Sequence, residues 1–182
     1  TVTCQGSFTP NFNCVITGTW NFAPTNNRQT YDLPFQVSGV DATGVTSKSV
    51  DLTNAQVLAL NKTAVTIIAA PGVGKSIDVV SVTIIFNRTG GYTNPQNVRL
   101  WYGSRSTGSP ASSSITGSGF FDASASIARH VQGTAENTDV SITNQAVTIQ
   151  QATTAAAMAG GDAANTVRVV VNYRIVYTGL ST

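Results

Sequence analysis

TVRVVVNYRIVY, residues Thr166–Tyr177, decides the fold class. Val167, Val169, Val171, Tyr173, Ile175 and Tyr177 alternate with Arg168, Val170, Asn172, Arg174 and Val176. A period of two with polar groups on one side belongs to an antiparallel strand, one face in a core and the other in water. Six inward side chains, at about 1.5–3 kcal/mol each when fully buried, contribute on the order of 10 kcal/mol before chain entropy is subtracted. This stretch reads as a central core strand.

Working outward, the same alternation recurs. In Val79–Phe86, Val80, Val82, Ile84 and Phe86 face one way and Ser81, Thr83 and Ile85 the other. Val98–Tyr102 sets Val98, Leu100 and Tyr102 against Arg99 and Trp101, and Val140–Ile149 is a further strand interrupted at Thr143-Asn144-Gln145. Strong helix formers are scarce, with one Glu, three Lys and six Leu in 182 residues. Val, Ile and Thr are abundant, and turn residues punctuate the chain as they do in sandwiches and barrels. The fold class is all-β.

One helix signal interrupts this pattern. Thr53-Asn54-Ala55-Gln56 is a capping box and opens a helix of at most two turns near 54–60. Ala55, Leu58 and Ala59 can share a face of it.

Residues 1–45 read as a separate N-terminal arm or hairpin, and 46–182 as the sandwich domain. The arm holds both cysteines, three of the six prolines and candidate strands at Asn13–Phe22 and Thr30–Val37. Ser38–Ser47 reads as a linker. Gly103–Gly119, GSRSTGSPASSSITGSG, reads as a flexible or exposed loop, and Ala152–Asn165 as a second long connection. Cys4 and Cys14 close a small loop if the compartment is oxidising, a bridge worth roughly 2–3 kcal/mol. If it is reducing, they are small buried hydrophobes.

Composition excludes several function classes. Only 10% of residues are charged, against about 25% in an ordinary domain, while 41% are hydrophobic. That is not a polyelectrolyte disordered chain. A net charge of +2 cannot supply the basic surface that nucleic-acid backbones require. No apolar run approaches the ~18 residues of a membrane span, and TVTCQGSFTP carries no signal-peptide pattern.

Catalytic motifs are equally thin. Ala70–Ser76, APGVGKS, ends like a phosphate-binding loop, but position 69 is Ala where GxxxxGK[ST] needs Gly, and a strand follows instead of a helix. It reads as a type II turn with Pro71 and Gly72 at the corners. His130 is the only histidine, which excludes a multi-histidine metal site in one chain. A Ser–His–Asp arrangement with Asp122 or Asp139 is formally open, but no serine sits in a nucleophile elbow. The expectation is no catalytic residue, no metal and no cofactor. Asn61-Lys62-Thr63 and Asn87-Arg88-Thr89 match the glycosylation pattern by chance.

Several segments in order resemble small tailed-phage virion proteins. These are LTNAQVLALNKTAVTIIAAPGVGKSIDVVSVTIIF, then NVRLWYG, a Gly/Ser/Ala-rich middle, and GGDAANTVRVVVNYRIV at the end. The resemblance is firm over 51–87 and 160–176 and loose between. It implies an antiparallel, jelly-roll-like β-sandwich, non-enzymatic and often trimeric, located on the capsid surface and assembled in the host cytoplasm. The implied role is a capsid decoration or cement subunit bound to the major capsid protein or other virion subunits. The alternative is a tail or fibre subunit that binds a host receptor or glycan. Candidate partner contacts are Trp20, Phe22 and Phe35 in the arm, and Trp101 and Tyr102 beside the Gly/Ser-rich loop, because hot spots favour aromatics. An enzyme built on His130 is the remaining reading.

Overall fold

The computed structural model describes residues 17–20, 29–32, 44–134, 142–154 and 156–178. The chain divides into two compact units, Thr1–Thr43 and Gly44–Thr182. In the first, β1 (Thr17–Trp20) pairs antiparallel with β2 (Gln29–Asp32), Thr17 opposite Asp32 and Trp20 opposite Gln29. Cys4, Cys14, Phe22 and Phe35 lie outside the described residues, and Trp20 is described only as the last backbone position of β1.

The second unit begins with β3 (Thr46–Thr53), α1 (Asn54–Ala59), β4 (Val65–Ile68) and β5 (Lys75–Asn87). Then follow β6 (Tyr92–Thr93), β7 (Val98–Tyr102), β8 (Ile127–Gln132), β9 (Val147–Gln151), β10 (Ala159–Gly160) and β11 (Thr166–Tyr177). One sheet has the order β3-β11-β5-β8 and a second β4-β9-β7, with β10-β6 as a small pair between long connections. Every pairing is antiparallel. Successive long strands pass from one sheet to the other, so each sheet interleaves strands distant in sequence. That is the winding of a jelly roll. The all-β sandwich read from the alternation is the observed architecture.

The Gly103–Gly119 segment supplies the missing edge of the smaller sheet. Val98 and Ile115 exchange backbone hydrogen bonds of 3.0 and 2.8 Å, Ala111 N–H donates to Leu100 O, and Tyr102 N–H donates to Ser109 O. Midway, Leu100 N–H is taken by the Ser112 hydroxyl in place of a carbonyl. The stretch 109–115 is thus an irregular strand along β7, with Ala111, Ser112 and Ile115 buried. The expected flexible loop is corrected: its small residues permit close packing. At Gly108 an added Cβ would lie 1.6 Å from Tyr102 O, so only glycine fits.

The core lies between the two sheets. Val167, Val169 and Val171 of β11 enter it beside Ile84, Val82 and Phe86 of β5. Phe86 is the hub of an aromatic group, its ring centroid 5.5 Å from Tyr92, 6.0 Å from Phe120 and 6.1 Å from Phe121. Phe120 and Phe121 meet edge to face at 4.9 Å. Offset and edge-to-face contacts of this kind add to simple area burial.

One expectation about facing changes. A bulge in β5 sets Ser81 opposite Asn172 but Val79 opposite Tyr173, so Val80 is the extra residue. The alternation slips by one there. Val79 is buried and Val80 exposed, the reverse of the uninterrupted pattern. On α1 the capping box forms as read: Gln56 N–H donates to Thr53 Oγ1 at 3.3 Å and Thr53 N–H to Gln56 Oε1 at 2.9 Å. Of the shared face, Ala55 and Ala59 are exposed and Leu58 is half-buried against the core; the fully buried residues are Val57 and, just after the helix, Leu60. These two larger side chains, three residues apart, take the core side.

β3 is one of the strands the sequence hid. Of its eight residues only Leu52 is buried and Val50 half-buried, because its stability comes from backbone pairing with β11 over Thr46–Thr53. A strand without an apolar face leaves no period to read. The linker expected over Ser38–Ser47 therefore gives way to strand at Thr46.

Two long connections are locked by one side chain. Asn165 is fully buried, and its Oδ1 accepts from Thr89 N–H (2.7 Å) and Gly90 N–H (3.0 Å). Its Nδ2 donates to Gly90 O at 2.7 Å. One amide thus satisfies three backbone groups of the turn after β5 and ties that turn to the entry of β11.

Candidate interaction surface

The outward face of the larger sheet is polar and internally paired. Arg168 on β11 holds Asp51 on β3 through two bonds of 2.7 and 2.9 Å, and Arg174 holds Asp78 on β5. Asn172 donates to Ser81, and Thr83 Oγ1 shares a hydrogen with His130 Nδ1 at 2.9 Å. Cross-strand neighbours of opposite charge or matched polarity are what antiparallel pairing brings together. The hydrogen bond from Arg168 holds the Asp51 carboxyl below its ordinary range, against the opposing pull of its slight desolvation. The contribution of that pair is present above the unfolded carboxylate pKa and is lost as pH falls through the lowered value. Both partners are half-exposed, so it is small and screened by salt.

His130 therefore faces a threonine, on an exposed strand surface. Asp122, one of the two carboxylates considered for a triad, instead accepts from Gly119 N–H at 2.6 Å, and Asp139 lies outside the described residues. Among the described residues no group of three or more His, Cys, Asp or Glu is placed to hold a metal.

The phosphate-loop look-alike resolves into a turn, one step later than read. Lys75 N–H donates to Gly72 O at 3.2 Å, which puts Val73 and Gly74 at the corners, Gly74 with φ 70°. Gly72 N–H is spent on Asn144 Oδ1 at 3.0 Å, and β5 starts at Lys75. A fan of free amides at a helix start, the essential of phosphate binding, is not built by these residues.

Trp101 and Tyr102, expected at a contact surface, are placed inside: they are 7% and 3% exposed. The irregular strand 109–115 runs alongside β7 and Arg99 stacks on the Trp101 ring at 5.6 Å. Arg105, in the same segment, directs its guanidinium at the carbonyls of Gln151, Thr153 and Asn61 (3.2, 2.6 and 2.8 Å) and so pins the loop down. Neither aromatic is available to a partner while that clamp holds.

Burial pushes the Tyr102 phenol up to about 12, against a hydrogen bond with the Val79 backbone that lowers it, with the Asp78 carboxylate adding to the rise. The folded state holds this proton more tightly than the unfolded chain, whose tyrosines titrate near pH ~10. The stabilisation is complete below that pH and is lost as pH rises through about 12. Denaturant titrations at a series of alkaline pH values should show stability falling across this window, and less steeply in Tyr102→Phe. Equal slopes in the two proteins would contradict the assignment.

No family model matches the chain, and no curated protein matches it. Among solved structures, a chain titled "Cyanophage Pam1 capsid asymmetric unit" is similar over 71% of this chain and 81% of its own length. Identity is 21% and the TM-score 0.43. A likeness of that size leaves function to be argued from this chain's own residues.

Among the described residues, four of the five exposed large apolar side chains lie at one end of the larger sheet, the fifth being Val80. Val73 at the turn tip is 66% exposed, Ile175 is 42% and Tyr177 is 77%. Val176 is exposed beside them, and Lys75 Nζ stands 5.1 Å from the Tyr177 ring. The six-residue apolar face read from Thr166–Tyr177 thus buries only its first three members. Tyr173 is half-buried, and Ile175 and Tyr177 overrun the core. Sequence reasoning missed this site because periodicity reports which side chains share a face, and says nothing about where the opposing sheet ends.

Proposed function

We propose that this chain is a non-enzymatic structural subunit of a phage virion, acting on the capsid as a decoration or cement protein that bridges neighbouring shell subunits. The observation that carries the reading is the strand order. The two segments with the firm resemblance, 51–87 and 160–176, contribute β5 and β11, the central pair of a jelly roll, joined over Thr166–Tyr177. Jelly rolls serve in viral shells and equally in lectins and cupins, so the fold alone would not choose among these. The polar, self-paired sheet face, and His130 engaged with a threonine, favour a subunit that acts by contact.

The mechanism is mass action. A subunit that binds the assembled shell and not its dissociated parts stabilises assembly by its binding free energy. Low charge and many Ser, Thr, Asn and Gln suit broad hydrogen-bonded interfaces more than long-range steering. The N-terminal segment, with Trp20, Phe22 and Phe35 as aromatic anchors, is proposed as the part that reaches neighbouring subunits, in a homo-oligomer of which a trimer is favoured.

Quantitative mass spectrometry of purified particles tests this. A copy number comparable with that of the major shell protein is expected. A few copies per particle would transfer the chain to a tail or fibre, and absence from the particle would overturn the virion assignment.

A further inference from the structure

β7 and the irregular strand beside it gather hydrogen-bond donors that have nothing to donate to. Val98 and Ile115 are bridged with both side chains in the core, so Arg99 and Ser114, one step along each strand, face away from it. Trp101 lies two residues further on that outer face. The Arg99 Nε, the Trp101 indole nitrogen and the Ser114 hydroxyl are all buried without a hydrogen-bond partner. Gln150, opposite Arg99 on β9, turns its Oε1 to Arg105 N–H at 3.0 Å instead. The carboxylates described in this unit are engaged elsewhere: Asp51 by Arg168, Asp78 by Arg174, Asp122 by Gly119 N–H and Asp162 by Ala164 N–H. Arg99 is half-buried and its guanidinium stays on the Trp101 ring, 5.6 Å from the centroid. Among the described arginines only Arg88 shares this lack of an acceptor, and no ring contact fixes it.

We infer that Arg99 is the docking point for an acidic side chain, Asp or Glu, of a neighbouring shell subunit. The inference rests on the reading of the chain as a virion subunit. The patch offers three kinds of donor and one positive charge, so its complement is a group that carries negative charge and only accepts. Among protein side chains that group is the ionised carboxylate. A guanidinium grips it with two parallel bonds, and stacking on an aromatic plane leaves the in-plane donors free to do so. Trp101 then serves as the platform and stays covered, while the contact itself passes to Arg99. Because the ring already holds the guanidinium, less side-chain freedom is lost on docking than at an unsupported arginine.

The test uses the full chain, ¹⁵N-labelled, with acetate as the probe. Sodium acetate is titrated against sodium chloride at equal ionic strength and at about pH 6, where a carboxylate is ionised. Saturable shifts of the Arg99 Nε–H and Trp101 indole N–H resonances are expected with acetate and not with chloride. Arg99→Met, which keeps an apolar stem over Trp101, should abolish the indole shift, and Arg99→Lys should fail to restore it. Backbone amide spectra unchanged away from β7 will show that both variants fold. No saturable shift, an equal shift with chloride, or a shift that persists in Arg99→Met would overturn the site. A stronger response to inorganic phosphate than to acetate would overturn the carboxylate assignment. Particles test the occupant: at limiting subunit concentration Arg99→Met should lower the copy number about tenfold, the effect of roughly 1.4 kcal/mol. Full occupancy by Arg99→Met would overturn a shell carboxylate as the occupant. A parent chain absent from particles fails the virion reading and the shell occupant with it, and the acetate titration still decides the site.

Discussion

Phe86→Ala is expected to lower the unfolding free energy by about 4 kcal/mol, which for a chain of this size is a fall in Tm of roughly 8–16 °C. Phe86 is fully buried on β5 and meets the rings of Tyr92, Phe120 and Phe121, which arrive from the turn after β5 and from the segment before β8. Truncation removes the transfer energy of the ring and leaves a cavity that three aromatic neighbours on two separate connections cannot close. Phe86→Leu keeps most of the volume and should cost about 1.5 kcal/mol. Val73→Ala, at an exposed turn tip, should fall within about 0.5 kcal/mol of the parent. Thermal and urea unfolding of the three variants measure these values. A loss below about 1 kcal/mol for Phe86→Ala would mean that the aromatic group does not organise this end of the core.

Asn165→Leu comes next, with an expected loss of about 3 kcal/mol, from desolvation of the polar groups it leaves unpaired. The substitution keeps the branched shape of the side chain but strands Thr89 N–H, Gly90 N–H and Gly90 O in a buried turn. Asn165→Asp separates the contributions. Its carboxylate still accepts from both amides, but it can no longer donate to Gly90 O and sets a charged oxygen against that carbonyl. Its stability should lie between the parent and Asn165→Leu. Hydrogen exchange adds a local readout: the Thr89 and Gly90 amides should lose protection in Asn165→Leu first, while amides of β5 and β11 keep theirs up to global unfolding. Unchanged exchange at those two amides would show that the turn is held by other contacts.

The strands with an apolar period, β5, β7 and β11, were legible because each presents a face to one core, and burial writes that period into the sequence. The helix was legible because a capping box is a local device, satisfied by residues 53 and 56 without help from the rest of the chain. β3, β8 and the irregular strand 109–115 were not. Most of their residues are polar or small, and their pairing partners lie elsewhere in the chain: β11 for β3, β5 for β8 and β7 for 109–115. The same limit applied to Trp101 and Tyr102. An aromatic pair beside a Gly/Ser-rich segment looks like a contact surface until the register sets that segment along β7.

The sequence by itself determined that this protein is β-rich, which stretch forms its central strand, where its helix begins, and that no histidine or carboxylate cluster stands out for chemistry. Each of these follows from composition, from a period of two, or from interactions within four residues along the chain. Only the tertiary structure decided which apolar residues are core and which are surface. The bulge at Val80 reverses one face of β5, and the second sheet stops short of Ile175 and Tyr177. Whether a side chain is buried depends on what packs against it from distant segments, and that is a property of the register and extent of both sheets together.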